Sequence, residues 1–137
     1  GLMQLMPATA SFIGRDRSLK SPTSTKLNDP TLNIALGQRY IEHLLEDRNM
    51  KGNLLLTAAA YNGGPGNVNR WLQRGNFSDD PFLFIETIPL EETRLYVTRV
   101  LTNLWAYRMR MGQPTPELDA LAQGQWPVYK PLDDKKS

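Results

Sequence analysis

Cysteine is absent from this 137-residue chain, and histidine occurs once, at His43. Without cysteine there is no disulfide, no thiolate nucleophile and no cysteine-ligated zinc. A single histidine excludes a histidine cluster for a metal and a Ser-His-Asp triad. No metal site and no cofactor are therefore expected. His43 itself, between Glu42 and Leu44, has no partner at metal-ligand spacing and reads as a surface residue. Charge of one sign is also missing. Sixteen Lys and Arg face fourteen Asp and Glu, a formal net charge of +2, and the charges are interspersed. No basic stripe for a phosphate backbone exists, which argues against nucleic acid as a partner. No apolar run reaches the roughly 20 residues that cross a bilayer, so no transmembrane segment is expected. Strand-type alternation and internal repeats are lacking as well.

What is present is helical periodicity, and the expected fold class is all-α. Pro7 to Ile13 reads as a short helix ending at Gly14, followed by a polar loop over Arg15 to Lys26. Asn28-Asp29-Pro30 is a helix start, with a capping side chain before a proline whose missing N–H costs little there. That helix is expected to run to about Asp47 with Ile34, Gly37, Ile41, Leu44 and Leu45 on its inner face. Leu54 to Asn62 is apolar all round, as a central helix would be. Gly63-Gly64-Pro65-Gly66 stops it, and Val68 to Gln73 opens another helix carrying Trp71. Phe82 to Ile88 is a short apolar segment. The longest helix is expected over Glu91 to Met111, with Tyr96, Val97, Val100, Leu101, Leu104, Trp105 and Arg108 along one stripe. Gly112, Pro114 and Pro116 end it. The remainder reads as a Pro-rich tail hugging the surface, with Trp126 and Tyr129 as anchors. All three tryptophans read as core or anchoring residues.

Three segments carry chemistry. They are Gly1-Leu2-Met3-Gln4-Leu5-Met6-Pro7 with Thr9-Ala10; Ala59-Ala60-Tyr61-Asn62-Gly63-Gly64-Pro65-Gly66 with Val68 and Trp71; and Phe84-Ile85-Glu86-Thr87-Ile88-Pro89 with Glu92-Thr93-Arg94-Tyr96-Val97. In that order and spacing the chain resembles the soluble type of lytic transglycosylase, whose catalytic domain is similar to goose-type lysozyme. The resemblance runs from Gly1 to about Gly112. It implies a lysozyme-like helical domain that lacks its first catalytic helix, because the chain starts with an apolar run inside a motif. Residues 1–112 would be the C-terminal part of that domain, and residues 113–137 an extension packed on its surface.

The resemblance further implies cleavage of peptidoglycan glycan strands between N-acetylmuramic acid and N-acetylglucosamine. One glutamic acid protonates the glycosidic oxygen and then takes a proton from the muramic acid 6-hydroxyl, giving a 1,6-anhydro product without water. This differs from the usual pair of carboxylates. In the family that glutamate lies on a helix just before the Gly-Leu-Met-Gln segment. It is thus expected upstream of Gly1, and no residue of this chain takes its role. A monomer in the periplasm or cell envelope is implied. The alternative is a non-catalytic peptidoglycan-binding module on the same fold.

Six residues are candidates for holding substrate. The Gln4 amide donates and accepts at once, as sugar recognition requires. Met6 supplies a flexible apolar wall, or a plain core methionine. Tyr61 offers a ring and a hydroxyl, and a buried tyrosine would read the same way. Asn62 adjoins the glycine-rich turn, and is otherwise a helix C-cap. Glu86 has Phe82, Phe84, Ile85 and Ile88 around it in sequence, so burial with a raised pKa is expected. It matches a supporting glutamate of the family. Tyr96 matches a family tyrosine near the cleft, or a core tyrosine. Arg94 is expected to pair with a nearby carboxylate.

Overall fold

The computed structural model describes residues 7–75 and 79–129. Seven α-helices account for most of them: α1 (Pro7–Gly14), α2 (Pro30–Leu45), α3 (Leu54–Gly63), α4 (Pro65–Arg74), α5 (Pro81–Thr87), α6 (Glu91–Arg110) and α7 (Pro116–Ala122). Among the described residues there is no strand, only an isolated antiparallel bridge between Asn53 and Val128. The chain divides into two compact units, Gly1–His43 and Leu44–Ser137.

In the first unit the polar stretch after α1 is more ordered than a loop. It holds two 3-10 turns, Arg17–Lys20 and Lys26–Asn28. Asp16 caps the first, accepting from the Ser18 amide at 3.0 Å and its hydroxyl at 2.7 Å, while Lys26 Nζ reaches the other carboxylate oxygen at 3.0 Å. The Ser18 hydroxyl bond and Lys26 hold the Asp16 carboxyl down at about 2. Helix α2 starts as expected, with Asp29 Oδ1 accepting from the Thr31 amide ahead of the proline's turn. Its inner stripe matches the expected one at Gly37 and Leu44 and differs at Ile34. Asn33, Leu36, Gly37 and Tyr40 are buried, and Ile34 is exposed. Asn33 tolerates burial because its Nδ2 donates to the Leu27 carbonyl at 3.1 Å, which meets the requirement that a buried amide be paired. His43 is exposed, as expected.

The second unit is built around α3. Every residue from Leu55 to Ala60 is buried. Asn53 caps it, its Oδ1 accepting from the amides of Leu55 and Leu56. Three consecutive alanines keep this helix thin, so α4 and α6 both pack against it. Helix α6 buries Thr93, Val97, Leu101 and Arg108, while Tyr96, Val100, Leu104 and Trp105 of the expected stripe are half-buried.

Residues beyond Gln113 include the helix α7, which the prolines obscured. Pro116 stands at its first turn, a position that tolerates a missing N–H. Glu117 of α7 is fully buried and forms an ion pair with Arg108, itself 3% exposed. The Arg108 guanidinium also lies 5.9 Å from the Tyr129 ring centre. Further on, the Leu54 amide donates to Pro127 O at 2.8 Å and the Tyr129 amide to Gly52 O at 3.0 Å. Trp126 Nε1 donates to Asp79 Oδ1 at 2.8 Å, and its ring meets Phe84 edge-on.

Candidate functional site

The site grows from the end of α3. Gly64 closes that helix at φ +93°, ψ 138°, a conformation that needs glycine. Pro65 then opens α4 at once. The turn is bonded from three directions: the Gly64 amide to Ala60 O at 2.8 Å, the Val68 amide to Gly64 O at 3.1 Å, and Asn67 Nδ2 to Gly63 O at 2.7 Å. Arg70 in turn bonds Asn67 Oδ1. The last residues of α3 therefore sit on a fixed frame.

Gly63 is required by closeness rather than by backbone angle. A Cβ there would stand 3.0 Å from Thr93 Oγ1 and 3.0 Å from the Trp71 ring, tighter than ordinary van der Waals contact. That closeness brings α6 against the end of α3. As a result the Thr93 hydroxyl, on a residue 1% exposed, donates to Asn62 Oδ1 at 2.7 Å. Asn62 is thus not the helix cap. Its oxygen is committed to Thr93, which fixes the amide orientation. Its Nδ2 makes no hydrogen bond among the described residues, and the side chain is half-buried.

One turn further along α6, the Tyr96 ring lies parallel to that of Tyr61, with centroids 6.3 Å apart and planes at 6°. Both rings are half-buried. Burial raises the Tyr96 phenol above its ordinary value, with Arg99 partly offsetting this. The structure therefore brings together three of the candidates, Tyr61, Asn62 and Tyr96. It adds Thr93, which sequence reasoning passed over. The available signal was its helical spacing, three residues before Tyr96 on the same face.

Glu86 differs from expectation. It is exposed rather than buried. Helix α5 buries Pro81 and Phe84, and Ile88 just beyond it is buried too. Those positions share a face at a 3.6-residue period, and Glu86 points away from it beside exposed Phe82 and Leu83. Its apolar neighbours in sequence are not its neighbours in space. Arg94 makes no ion pair among the described residues; its Nη1 donates to the Ile88 carbonyl at 2.9 Å and ties the α5–α6 connection. Gln4 and Met6 lie outside the described residues. Among the described residues no group of three His, Cys, Asp or Glu gathers as a metal site would require, and no helix is long and apolar enough to cross a membrane.

Chemically, the arrangement presents an oriented amide donor beside two stacked phenol rings at a rigid turn. Comparison with known proteins gives the family of the chain. The transglycosylase SLT domain model matches residues 1–82, which includes Tyr61 through Pro65. The chain belongs to this family. It is 36% identical over 126 residues to the soluble lytic murein transglycosylase of Escherichia coli, covering 91% of this chain and 19% of the relative. A putative soluble lytic murein transglycosylase of Haemophilus influenzae is 33% identical over 118 residues, 86% of this chain and 20% of the relative. The chain thus spans about a fifth of the length of these relatives. Among solved structures, the 70 kDa soluble lytic transglycosylase of E. coli superposes with a TM-score of 0.69 at 38% identity, over 82% of this chain and 18% of that one. The lytic transglycosylase Slt of Pseudomonas aeruginosa, solved as an inactive glutamate-to-glutamine mutant, gives 0.68 at 39% identity over 85% and 18%. The fold of this SLT-family chain is accordingly that of the lytic transglycosylases, all-α and lysozyme-like.

Proposed function

We propose that this chain is the substrate-holding part of a lytic transglycosylase that cuts murein glycan strands between N-acetylmuramic acid and N-acetylglucosamine. The observation that carries this is the Asn62 amide, oriented by Thr93 beside the Tyr61–Tyr96 pair in a member of the SLT family. Asn62 Nδ2 donates to an acetamido or hydroxyl oxygen of the glycan. The two rings pack against a sugar face. Glu86, at the surface, accepts from sugar hydroxyls, and Gln4 and Met6 extend the same cleft. Residues 1–112 belong to the catalytic domain and residues 113–137 extend it. The protein acts as a monomer in the periplasm or cell envelope.

The bond-breaking acid is a glutamate upstream of Gly1. That the Pseudomonas relative is described as inactive with a glutamate-to-glutamine change supports a glutamate in this role. The glutamic acid gives its proton to the glycosidic oxygen as the C1–O bond breaks. The resulting carboxylate takes the proton of the muramic acid 6-hydroxyl as O6 bonds to C1. Atoms balance without water, and the acid is regenerated. The Tyr96 phenol, neutral at ordinary pH and moved further from ionisation by burial, is a hydrogen-bond donor for the glycan.

Digestion of purified sacculi by the protein with its upstream sequence, followed by mass spectrometry of the soluble products, tests this. Muropeptides ending in 1,6-anhydromuramic acid are the expected products. Reducing ends in their place would overturn the reaction type. Sacculus binding with no release would identify a glycan-binding module instead.

A further inference from the structure

A cavity of about 340 Å³ lies at the end of α3 opposite the glycan-facing turn. Asn53, which caps the start of that helix, lines it. Asn62 stands about 13 Å further along the same helix at a rise of about 1.5 Å per residue. Met50, Leu56 and Leu72 form an apolar floor, and the first two are buried. Trp126 walls one side. Its segment is fastened by the Leu54 amide on Pro127 O and the Tyr129 amide on Gly52 O, and its indole by Asp79. The cavity is therefore pre-formed.

Three polar groups on its lining have capacity to spare. Asn53 is 7% exposed, and its Oδ1 is taken by the amides of Leu55 and Leu56. Its Nδ2 makes no hydrogen bond among the described residues, which leaves an unpaired donor on a buried side chain. Lys51 and Asp79 are exposed on the rim, and neither forms an ion pair among the described residues. Both hold left-handed backbone, at φ 54° and 60°. Such strain in non-glycine residues is costly and concentrates where a protein holds ligands.

The charges decide the class of ligand. A simple anion would be repelled by Asp79, and a simple cation by Lys51. A purely apolar molecule would leave the Asn53 donor unpaired. A zwitterion with an apolar side chain meets every group: its carboxylate accepts from Lys51 and Asn53 Nδ2, its ammonium donates to the free oxygen of Asp79, and its side chain covers the floor and the Trp126 ring. At about 30 Å³ for each water-sized group, the volume holds about eleven such groups, the scale of phenylalanine. We infer that this cavity binds a free apolar α-amino acid of leucine to phenylalanine size through Lys51, Asn53 and Asp79. The site is separate from the glycan surface and does not depend on the murein reading. A bound amino acid ties the α2–α3 connection to the C-terminal segment, so it stabilises the folded chain by mass action.

The test titrates the chain with phenylalanine, N-acetylphenylalanine, phenylalaninamide and tri-N-acetylchitotriose, followed by calorimetry and by the Trp126 indole resonance in NMR spectra. Phenylalanine should shift the Trp126 signal saturably and raise Tm. The two blocked derivatives each lack one charge and should bind more weakly, a comparison that leaves the fold untouched. Three substitutions remove one group each. Asn53→Asp keeps the cap acceptor and replaces the donor by a carboxylate, and should weaken phenylalanine about tenfold. Asp79→Asn keeps the acceptor for Trp126, and Lys51→Asn suits the left-handed backbone; each should weaken it about threefold to fivefold, the scale of an exposed charged contact. Chitotriose affinity should be unchanged in all three. A Trp126 signal that does not move at millimolar phenylalanine, equal affinity for the blocked derivatives, or indifference to all three substitutions would overturn the inference. Displacement of phenylalanine by chitotriose would overturn it too, because the amino acid would then occupy the glycan surface. Failure of chitotriose to bind while phenylalanine does would count against the glycan reading and leave this site standing.

Discussion

Replacing Gly63 by alanine should destabilise this protein, although alanine is the better helix former. Gly63 is the last residue of α3 and its φ is not positive, so backbone strain does not enter. Propensity alone would favour Gly63→Ala by up to about 1 kcal/mol, less at a helix end. Space decides the sign. The new methyl would meet Thr93 Oγ1 and Trp71 at 3.0 Å and Thr93 Cγ2 at 3.3 Å. Thr93 is buried on α6 and cannot swing away without breaking its 2.7 Å bond to Asn62. Overpacking of this kind costs about 1–3 kcal/mol, and the lost hydrogen bond about 1 kcal/mol. The net loss should be about 1–4 kcal/mol, a fall in Tm of roughly 3–14 °C for a chain of this size. Gly66→Ala is the control. Its Cβ would meet only Arg70 Nη1 at 3.9 Å, so it should be neutral or slightly stabilising. Thermal and urea melts of both variants, with chitotriose affinity measured in parallel, check the argument. Gly63→Ala should lose stability and weaken the sugar together. Equal stability of the two variants would refute the packing reasoning, and lost stability with unchanged sugar affinity would refute the link from Thr93 to Asn62.

Arg108→Met should cost about 3–5 kcal/mol because it leaves the fully buried Glu117 without its cation; the double variant R108M/E117L should recover most of that in urea melts, and no recovery would show that the pair holds α7 in some other way. Tyr96 has its phenol raised above 10.0 by burial, so the neutral form is the one the fold favours. Its contribution to stability is complete below the unfolded value and is lost as pH rises through the higher folded value. The ultraviolet difference titration of wild type against Tyr96→Phe should place its phenolate beyond the ordinary tyrosine range, and ionisation at or below that range would contradict its burial. Asn62→Asp replaces the donor Nδ2 by a second acceptor, so sugar affinity should fall about tenfold by calorimetry while Tm moves by no more than a few degrees.

Much of this was legible because punctuation and period are local. Gly64 and Pro65 mark the turn beneath Tyr61 and Asn62, and the apolar run of α3 marks the centre of its unit. The misreadings share one origin, the distance between sequence neighbours and spatial neighbours. Glu86 has apolar residues on both sides in the chain, yet a helix turns them to the opposite face. Asn33 takes the core position that Ile34 was expected to fill, because the Leu27 carbonyl, in the turn before the helix, satisfies its amide. Arg94 finds the Ile88 carbonyl rather than a carboxylate. Helix α7 is hidden by prolines that in fact start it, and the buried Arg108–Glu117 pair that fastens it joins positions nine residues apart. Thr93 is the clearest case. Its spacing before Tyr96 puts it on the right face of α6, but its bond to Asn62 depends on how closely α6 approaches Gly63, and that distance leaves no mark in a single sequence.

The proposed function turns on N-acetylated sugar being held by the surface of Tyr61, Asn62 and Tyr96, with Thr93 buried beneath Asn62. Chemical-shift mapping of the isotope-labelled chain during titration with tri-N-acetylchitotriose tests it most directly. Saturable shifts are expected, centred on the Asn62 side-chain amide and on residues 60–64 and 93–97, and abolished by Asn62→Asp. Shifts that cluster elsewhere, or a spectrum that does not change at millimolar sugar, would contradict it.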